Sequence, residues 1–304
     1  MNTSTFTLVT LSVATLAWVL WLLGEPFWVA RRREQQQRVA FPAAWRKILR
    51  RRVPLVRRLP VDLQLQLKKH IQVFIAEKTF IGCAGLKITD EMRVVIAAQA
   101  CLLILNRPTS YFRNLRQILV YPGAFAVDRV HADGTGVLQE QRQALSGESW
   151  SQGQVILSWQ DSLEGAAVAN DGRNVVIHEF AHQLDQENGV ANGAPRLPRH
   201  ADRRRWSQVF QAAYDKLQVQ IRQGHTGLLN PYGGTNPAEF FAVASEVFFE
   251  QSEAMAWDDP ALYAVMRDFY QVNPVNWVPI PAPTSTPTPT RTPAQNTAGV
   301  FSTI

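Results

Sequence analysis

Two cysteines, Cys83 and Cys101, are all that the chain offers for covalent cross-linking. They cannot build a disulfide framework, and they lack the short Cys-x-x-Cys spacing of a structural zinc site. Two core thiols are the expectation. Internal repeats are absent. Charge is missing from one end: residues 1–24 carry no charged side chain, and no Lys or Arg precedes the apolar run that begins at Phe6. A cleaved signal peptide normally starts with positive charge and ends at small residues before the cut. An uncleaved segment is therefore expected. Charged residues make up 18% of the chain and hydrophobic ones 46%, which describes a folded protein with some extra apolar weight. A length of 304 residues allows one sizeable domain or two small ones.

Acids are scarce in residues 31–60, where eleven Arg and Lys face Glu34 alone. That stretch outweighs the formal net charge of +6, so the remainder is net acidic. A globally basic surface is the footprint of a nucleic-acid binder. Here the excess is local and directly follows a hydrophobic segment, and no aromatic stacking pattern is interleaved with it. Direct nucleic-acid binding is not expected, and membrane flanking is.

The apolar segment of residues 6–23 has Thr7, Thr10, Ser12 and Thr15 as its only polar side chains. A membrane-spanning helix needs roughly 20 apolar residues. Glu25 and Pro26 mark the expected end of the helix. Trp18, Trp21 and Trp28 lie towards that end, where indoles favour the interface. Arg31, Arg32 and Arg33 follow, which by the positive-inside tendency puts the rest of the chain in the cytoplasm. The expected divisions are a transmembrane anchor over residues 1–30, a basic juxtamembrane segment over 31–40, a catalytic domain over 41–278, and a disordered Thr/Pro-rich tail over 279–304. The tail interleaves Pro281, Pro283, Pro287, Pro289 and Pro293 with Thr and Ser and cannot bury enough apolar surface to fold.

Residues 42–105 read as mostly helical, broken at Pro54 and Pro60, and Pro108 stops the last helix. Residues 116–127 read as a strand, a Pro-Gly turn and another strand, and residues 154–159 as a further short strand. That strand is expected to line the active cleft and to present an edge to an extended peptide. Residues 174–186, 203–222 and 237–250 read as helices, the last with Pro237 in its first turn.

The central signal is His178-Glu179-Phe180-Ala181-His182. Four residues of α-helix turn about 400°, so the two imidazoles face one way, one turn apart. They can share one Zn2+, and Glu179 beside them can take the proton of a zinc-activated water. The third ligand must come from elsewhere. The metzincin extension would need Gly at 185 and His at 188, where Asp185 and Asn188 stand. Glu239, Glu246 and Glu250 share one helix face, and helix placement alone does not choose among them. His200 and His225 lie in polar stretches. Asp185, one turn beyond His182, could orient a ligand or be a solvated charge, and Glu246 could give similar support.

The segments HEFAHQLD (178–185) and YGGTNPAEFFAVASEVFFE (232–250) resemble the Mlc titration factor A family of zinc peptidases. The earlier stretches FPAAWRKILRRRVPLVRRLP and GCAGLKITDEMRVVIAAQACLLIL match the same pattern, so the resemblance covers about residues 41–273. The second segment is also similar to the catalytic domain of anthrax lethal factor. The resemblance implies an α+β fold, a mainly helical zincin-like metallopeptidase domain with a small mixed sheet. It implies Glu239 as the third zinc ligand, and Tyr232 as donor to the oxygen that gains charge during hydrolysis. On its residues alone, Tyr232 reads as an ordinary loop tyrosine beside Gly233 and Gly234. The expected function is a gluzincin-type peptidase of a bacterial inner membrane, with aminopeptidase-like action on peptides. The competing expectation, also implied by the family, is a membrane-tethered factor that binds a sugar-responsive DNA-binding repressor of the Mlc type. The apolar helix and the Thr/Pro tail lie outside the family's common core.

Overall fold

The computed structural model describes residues 3–132, 138–145, 147–150, 153–197 and 200–277. The expected Thr/Pro tail lies outside them. The chain opens with α1 (Thr3–Arg38), and residues Leu11–Arg38 include an 18-residue stretch of mean hydropathy 1.5, none of it buried. The helix runs through Pro26, so the end expected at Glu25–Pro26 is corrected. Proline removes one helix hydrogen bond and crowds the carbonyl four residues back, but its fixed φ suits a helix. The turns beyond it are held from outside. Arg33 donates to both Glu77 oxygens (2.6 and 3.0 Å) and to the Ser110 carbonyl, and Gln37 donates to the Tyr111 hydroxyl.

Next come α2 (Ala43–Arg52), α3 (Val61–Glu77), β1 (Thr79–Gly82) and α4 (Asp90–Leu102). Pro54 opens a 3-10 turn and Pro60 caps α3, so both prolines interrupt the helices as their sequence positions dictate. Thr89 accepts the Met92 N–H and starts α4, whose residues from Val94 onward are buried. Beyond these lie β2 (Gln117–Tyr121), β3 (Phe125–Ala132), β4 (Leu138–Leu145), β5 (Gly147–Trp150) and β6 (Gln154–Ser158). The remaining helices are α5 (Trp159–Ala167), α6 (Val175–Asp185), α7 (His200–Arg222), α8 (Pro237–Glu250), α9 (Ser252–Asp258) and α10 (Pro260–Tyr270).

The main sheet has the order β1-β2-β6-β5. Its first three strands are parallel, with Ile118 opposite both Phe80 and Val155, and β5 runs antiparallel to β6. This is the small mixed sheet of a mainly helical α+β domain. β3 and β4 form a separate antiparallel ribbon. Because β6 is paired on both sides, it cannot accept a further strand. Among the described residues the free edges are β1 and β5, and β5 packs against α6, so the edge nearest the site is residues 147–150 and not 154–159.

The core lies between this sheet and the helices. Phe180, on the inner face of α6, meets the rings of Phe112 and Phe74 at 4.9 and 5.6 Å between centroids. Burying a side chain of that size contributes roughly 1.5–3 kcal/mol. The same contact fixes the rotation of α6, and therefore the direction in which its histidines point.

Candidate metal centre

The helix that carries the histidines is started by Asn174, whose Oδ1 accepts the Ile177 N–H at 3.0 Å. The turn before it passes through Gly172 at φ +73°, a backbone that side chains rarely adopt. Apolar residues Val176, Ile177, Phe180, Ala181 and Leu184 face the core. His178 and His182 are left on the side facing α8, with ring centroids 4.9 Å apart.

α8 answers with three glutamates on one face, each with its own task. Glu239 Oε2 lies 3.0 Å from His178 Nε2 and 3.3 Å from His182 Nε2. Glu246 Oε1 is 2.6 Å from His178 Nδ1, while its Oε2 accepts the Asn174 backbone N–H at 2.5 Å. Glu250 accepts the Gly172 N–H at 3.1 Å and the Asn174 side-chain N–H at 2.9 Å. Of the three, only Glu239 reaches the point where the two imidazoles converge. Asn236 caps α8 by accepting the Glu239 N–H at 3.0 Å, which sets that carboxylate in the first turn.

Electrostatics follow from this placement. Burial alone would lower the pKa of His178, but Glu239 and Glu246 outweigh it and hold the imidazole well above its ordinary value. Burial likewise opposes ionisation of Glu239, and the two imidazoles reverse that, leaving the carboxyl far below the usual range. Glu250 has no cationic partner among the described residues to offset its desolvation, and with Asp171 and Glu246 nearby its carboxyl is pushed up to about 9.

Ligand atoms of His178, His182 and Glu239 lie within 4.8 Å of one another. Two imidazole Nε2 atoms and one carboxylate oxygen suit a divalent metal with an open position. The donor chemistry fits as well: a hydrogen bond from His178 Nδ1–H to Glu246 leaves the Nε2 lone pair for a cation.

Glu179 is 5% exposed, and its charge acts on His178. Tyr232 lies in the 3-10 turn Pro231–Gly234, 47% exposed, with its ring centroid 6.0 Å from that of His178. Asp185 is fully buried, which removes the reading of a solvated charge. Its Oδ2 accepts the Gly193 N–H at 2.7 Å. Gly193 sits at φ +76°, where an added Cβ would lie 2.4 Å from the Pro237 carbonyl oxygen. Asp185 thus ties the turn after α6 to the start of α8, two residues before Glu239. His225 is exposed, and the His200 side chain lies outside the described residues. Spacing did not point to Asn174 as part of this network, although an Asn directly before an apolar helix is a cap signal; Glu250, an equal candidate with Glu239 and Glu246 by spacing, turns out to hold the Gly172–Asn174 turn.

A family model described as glucose-regulated metallo-peptidase M90 matches residues 27–271. An uncharacterised protein of Synechocystis sp. is 39% identical over 258 residues, covering 84% of this chain and 94% of the relative. Mlc titration factor A of Klebsiella pneumoniae is 34% identical over 229 residues, covering 73% of this chain and 84% of the relative. Mlc titration factor A of Escherichia fergusonii is 33% identical over the same share of both chains. With a family model spanning most of its length and relatives this similar, the chain belongs to the glucose-regulated metallo-peptidase M90 family.

Proposed function

We propose that the protein is a gluzincin-type zinc peptidase. His178, His182 and Glu239 are its metal ligands, Glu179 its general base, and Tyr232 the donor to the carbonyl oxygen under attack. The observation that carries this reading is the convergence of three donor atoms between α6 and α8. Bound zinc supplies a Lewis acid that lowers the pKa of water to about 7 and polarises a carbonyl. The chain's own residues do the rest. Glu179 takes a proton from the attacking water and can deliver it to the leaving amine. The Tyr232 hydroxyl donates to the carbonyl oxygen as charge builds there. Glu246 fixes the tautomer and rotation of His178, and Asp185 braces the turn that meets α8. The unpaired edge of β5, beside α6, can hold a peptide substrate in extended form through backbone hydrogen bonds.

The reading extends to location. α1 is exposed, apolar and long enough to cross a bilayer, and basic residues follow it, which supports anchoring with the catalytic domain on the cytoplasmic side. A second reading is favoured by the name carried by two relatives, Mlc titration factor A. In it, the protein captures a repressor of the Mlc type and the metal centre is secondary. Zinc content and peptide hydrolysis of the full-length chain and of Glu239→Gln test the first reading. The wild type should carry about one zinc per chain and hydrolyse peptides. In the variant both should fall by more than the ten- to hundredfold typical of losing a supporting contact. Unchanged zinc and activity in the variant would exclude Glu239 as a ligand.

A further inference from the structure

We propose that the cleft at the C-terminal turn of α6 binds a small molecule carrying a carboxylate or phosphate group, with Arg107 as its anchor. The cleft has a volume of about 1210 Å³. Parts of the chain far apart in sequence build it: the loop from Arg107 to Asn114, Gln183 of α6 and Gln186 just after it, Trp206 of α7, and Phe269 of α10. None of His178, His182 and Glu239 lines it, so it is separate from the metal centre. Ligand pockets typically enclose about 300–1,000 Å³, so this one admits a molecule of that class.

Arg107 is what makes it an anion site. Its guanidinium carbon stands 3.9 Å from the centre of the Phe269 ring, and its Nη1 is buried with no hydrogen-bond partner among the described residues. Burial lowers its pKa, and Tyr270 and Glu187 oppose that only through space. Glu187 also lines the cleft, where it accepts from the Ser110 hydroxyl at 3.2 Å and makes no hydrogen bond to Arg107 Nη1. Asp268, next to Phe269 in α10, is held by Arg205 at 3.1 Å and by Arg267 at 2.8 Å. Arg113 and Arg196 add exposed positive charge at the rim. A desolvated guanidinium nitrogen without an acceptor is unfavourable, and a carboxylate or phosphate matches the guanidinium fork. Trp206, Phe112 and Phe269 provide an apolar wall for the rest of the ligand. Since Gln183 belongs to the helix that carries the histidines and Gln186 caps its end, a bound anion would join that helix to the 107–114 loop and to α10.

The test is thermal melting of the full-length chain in detergent, titrated with inorganic phosphate or with succinate at constant ionic strength. Wild type should gain about 3–5 °C at a tenfold excess over the dissociation constant. A response to phosphate alone identifies that group, a response to succinate alone identifies a carboxylate, and a response to both indicates their shared chemistry. Arg107→Met keeps the contact with Phe269 and removes the charge. It should melt no lower than wild type without anion, and the rise should vanish. Arg107→Lys keeps the charge without the fork and should lose most of the rise, which covers the case in which the methionine variant fails to fold. No rise in wild type with either anion overturns the proposal. So does an equal rise in both variants, which would place the anion at the metal centre or on the general surface.

Discussion

Two histidines, His70 and His178, sit on helices of the same domain and are pushed in opposite directions. His70 on α3 has Nδ1 2.7 Å from the Tyr111 hydroxyl, and no carboxylate pairs with it among the described residues. Burial lowers its pKa to about 4. His178 is half-buried, and Glu239 and Glu246 hold it well above the ordinary value. The difference lies in what faces the ring. Burial alone makes an imidazole neutral and leaves its second nitrogen, as in His70, without a partner. Flanking carboxylates make the same ring a seat for positive charge, whether a proton or a metal ion. This is why the α6–α8 interface is a candidate metal centre and the α3 site is not.

The comparison can be broken on either side. The largest expected effect is on stability in acid. Unfolded His70 binds a proton near pH 6.5, and folded His70 does so only near pH 4. Its contribution is therefore fully present above about pH 6.5 and is lost as the pH falls towards 4, amounting to about 3 kcal/mol. Denaturant unfolding at pH 7 and pH 4.5 should show a smaller acid loss in His70→Gln than in wild type. Equal losses would mean that His70 is protonated in the folded state. Next, Glu246→Gln should lower zinc affinity about ten- to hundredfold while leaving the three ligand positions filled. Competition with a chelator measures this, and unchanged affinity would show that Glu246 does not orient His178. The smallest effect belongs to Arg33→Met, which removes an ion pair to Glu77 and a contact 4.6 Å above the Tyr111 ring. It should cost about 1 kcal/mol and leave the pH response of His70 in place. A larger loss would make the foot of α1 part of the domain's core.

Much of the site could be read from local pattern. The His178–His182 pair required only helix periodicity, and Asn174 and Pro237 are the start signals that bound α6 and α8. The choice among Glu239, Glu246 and Glu250 could not be read from spacing, because all three share a face. It depends on how α8 crosses α6, and only the family resemblance implied it beforehand. β1 was hidden for a related reason. Its four residues follow α3 within an apolar, helix-rich stretch, and parallel pairing with β2 is what makes them a strand. The role expected of residues 154–159 as an edge failed because β5 pairs with β6 on that side. Pro26 shows a local rule overridden, since α1 is held in register beyond it by partners in α3 and the 109–111 loop. Arg107 gave no pattern at all, because its cleft exists only once distant segments have folded together.

The central claim is that Glu179 is the base of a zinc peptidase, and Glu179→Gln tests it most directly. The substitution keeps the shape of the side chain and leaves His178, His182 and Glu239 untouched. Zinc content should remain near that of wild type, while peptide hydrolysis should fall by roughly 10²–10⁴-fold, the usual range for general acid–base catalysis. A variant that holds its zinc and hydrolyses peptides as fast as wild type would contradict the account.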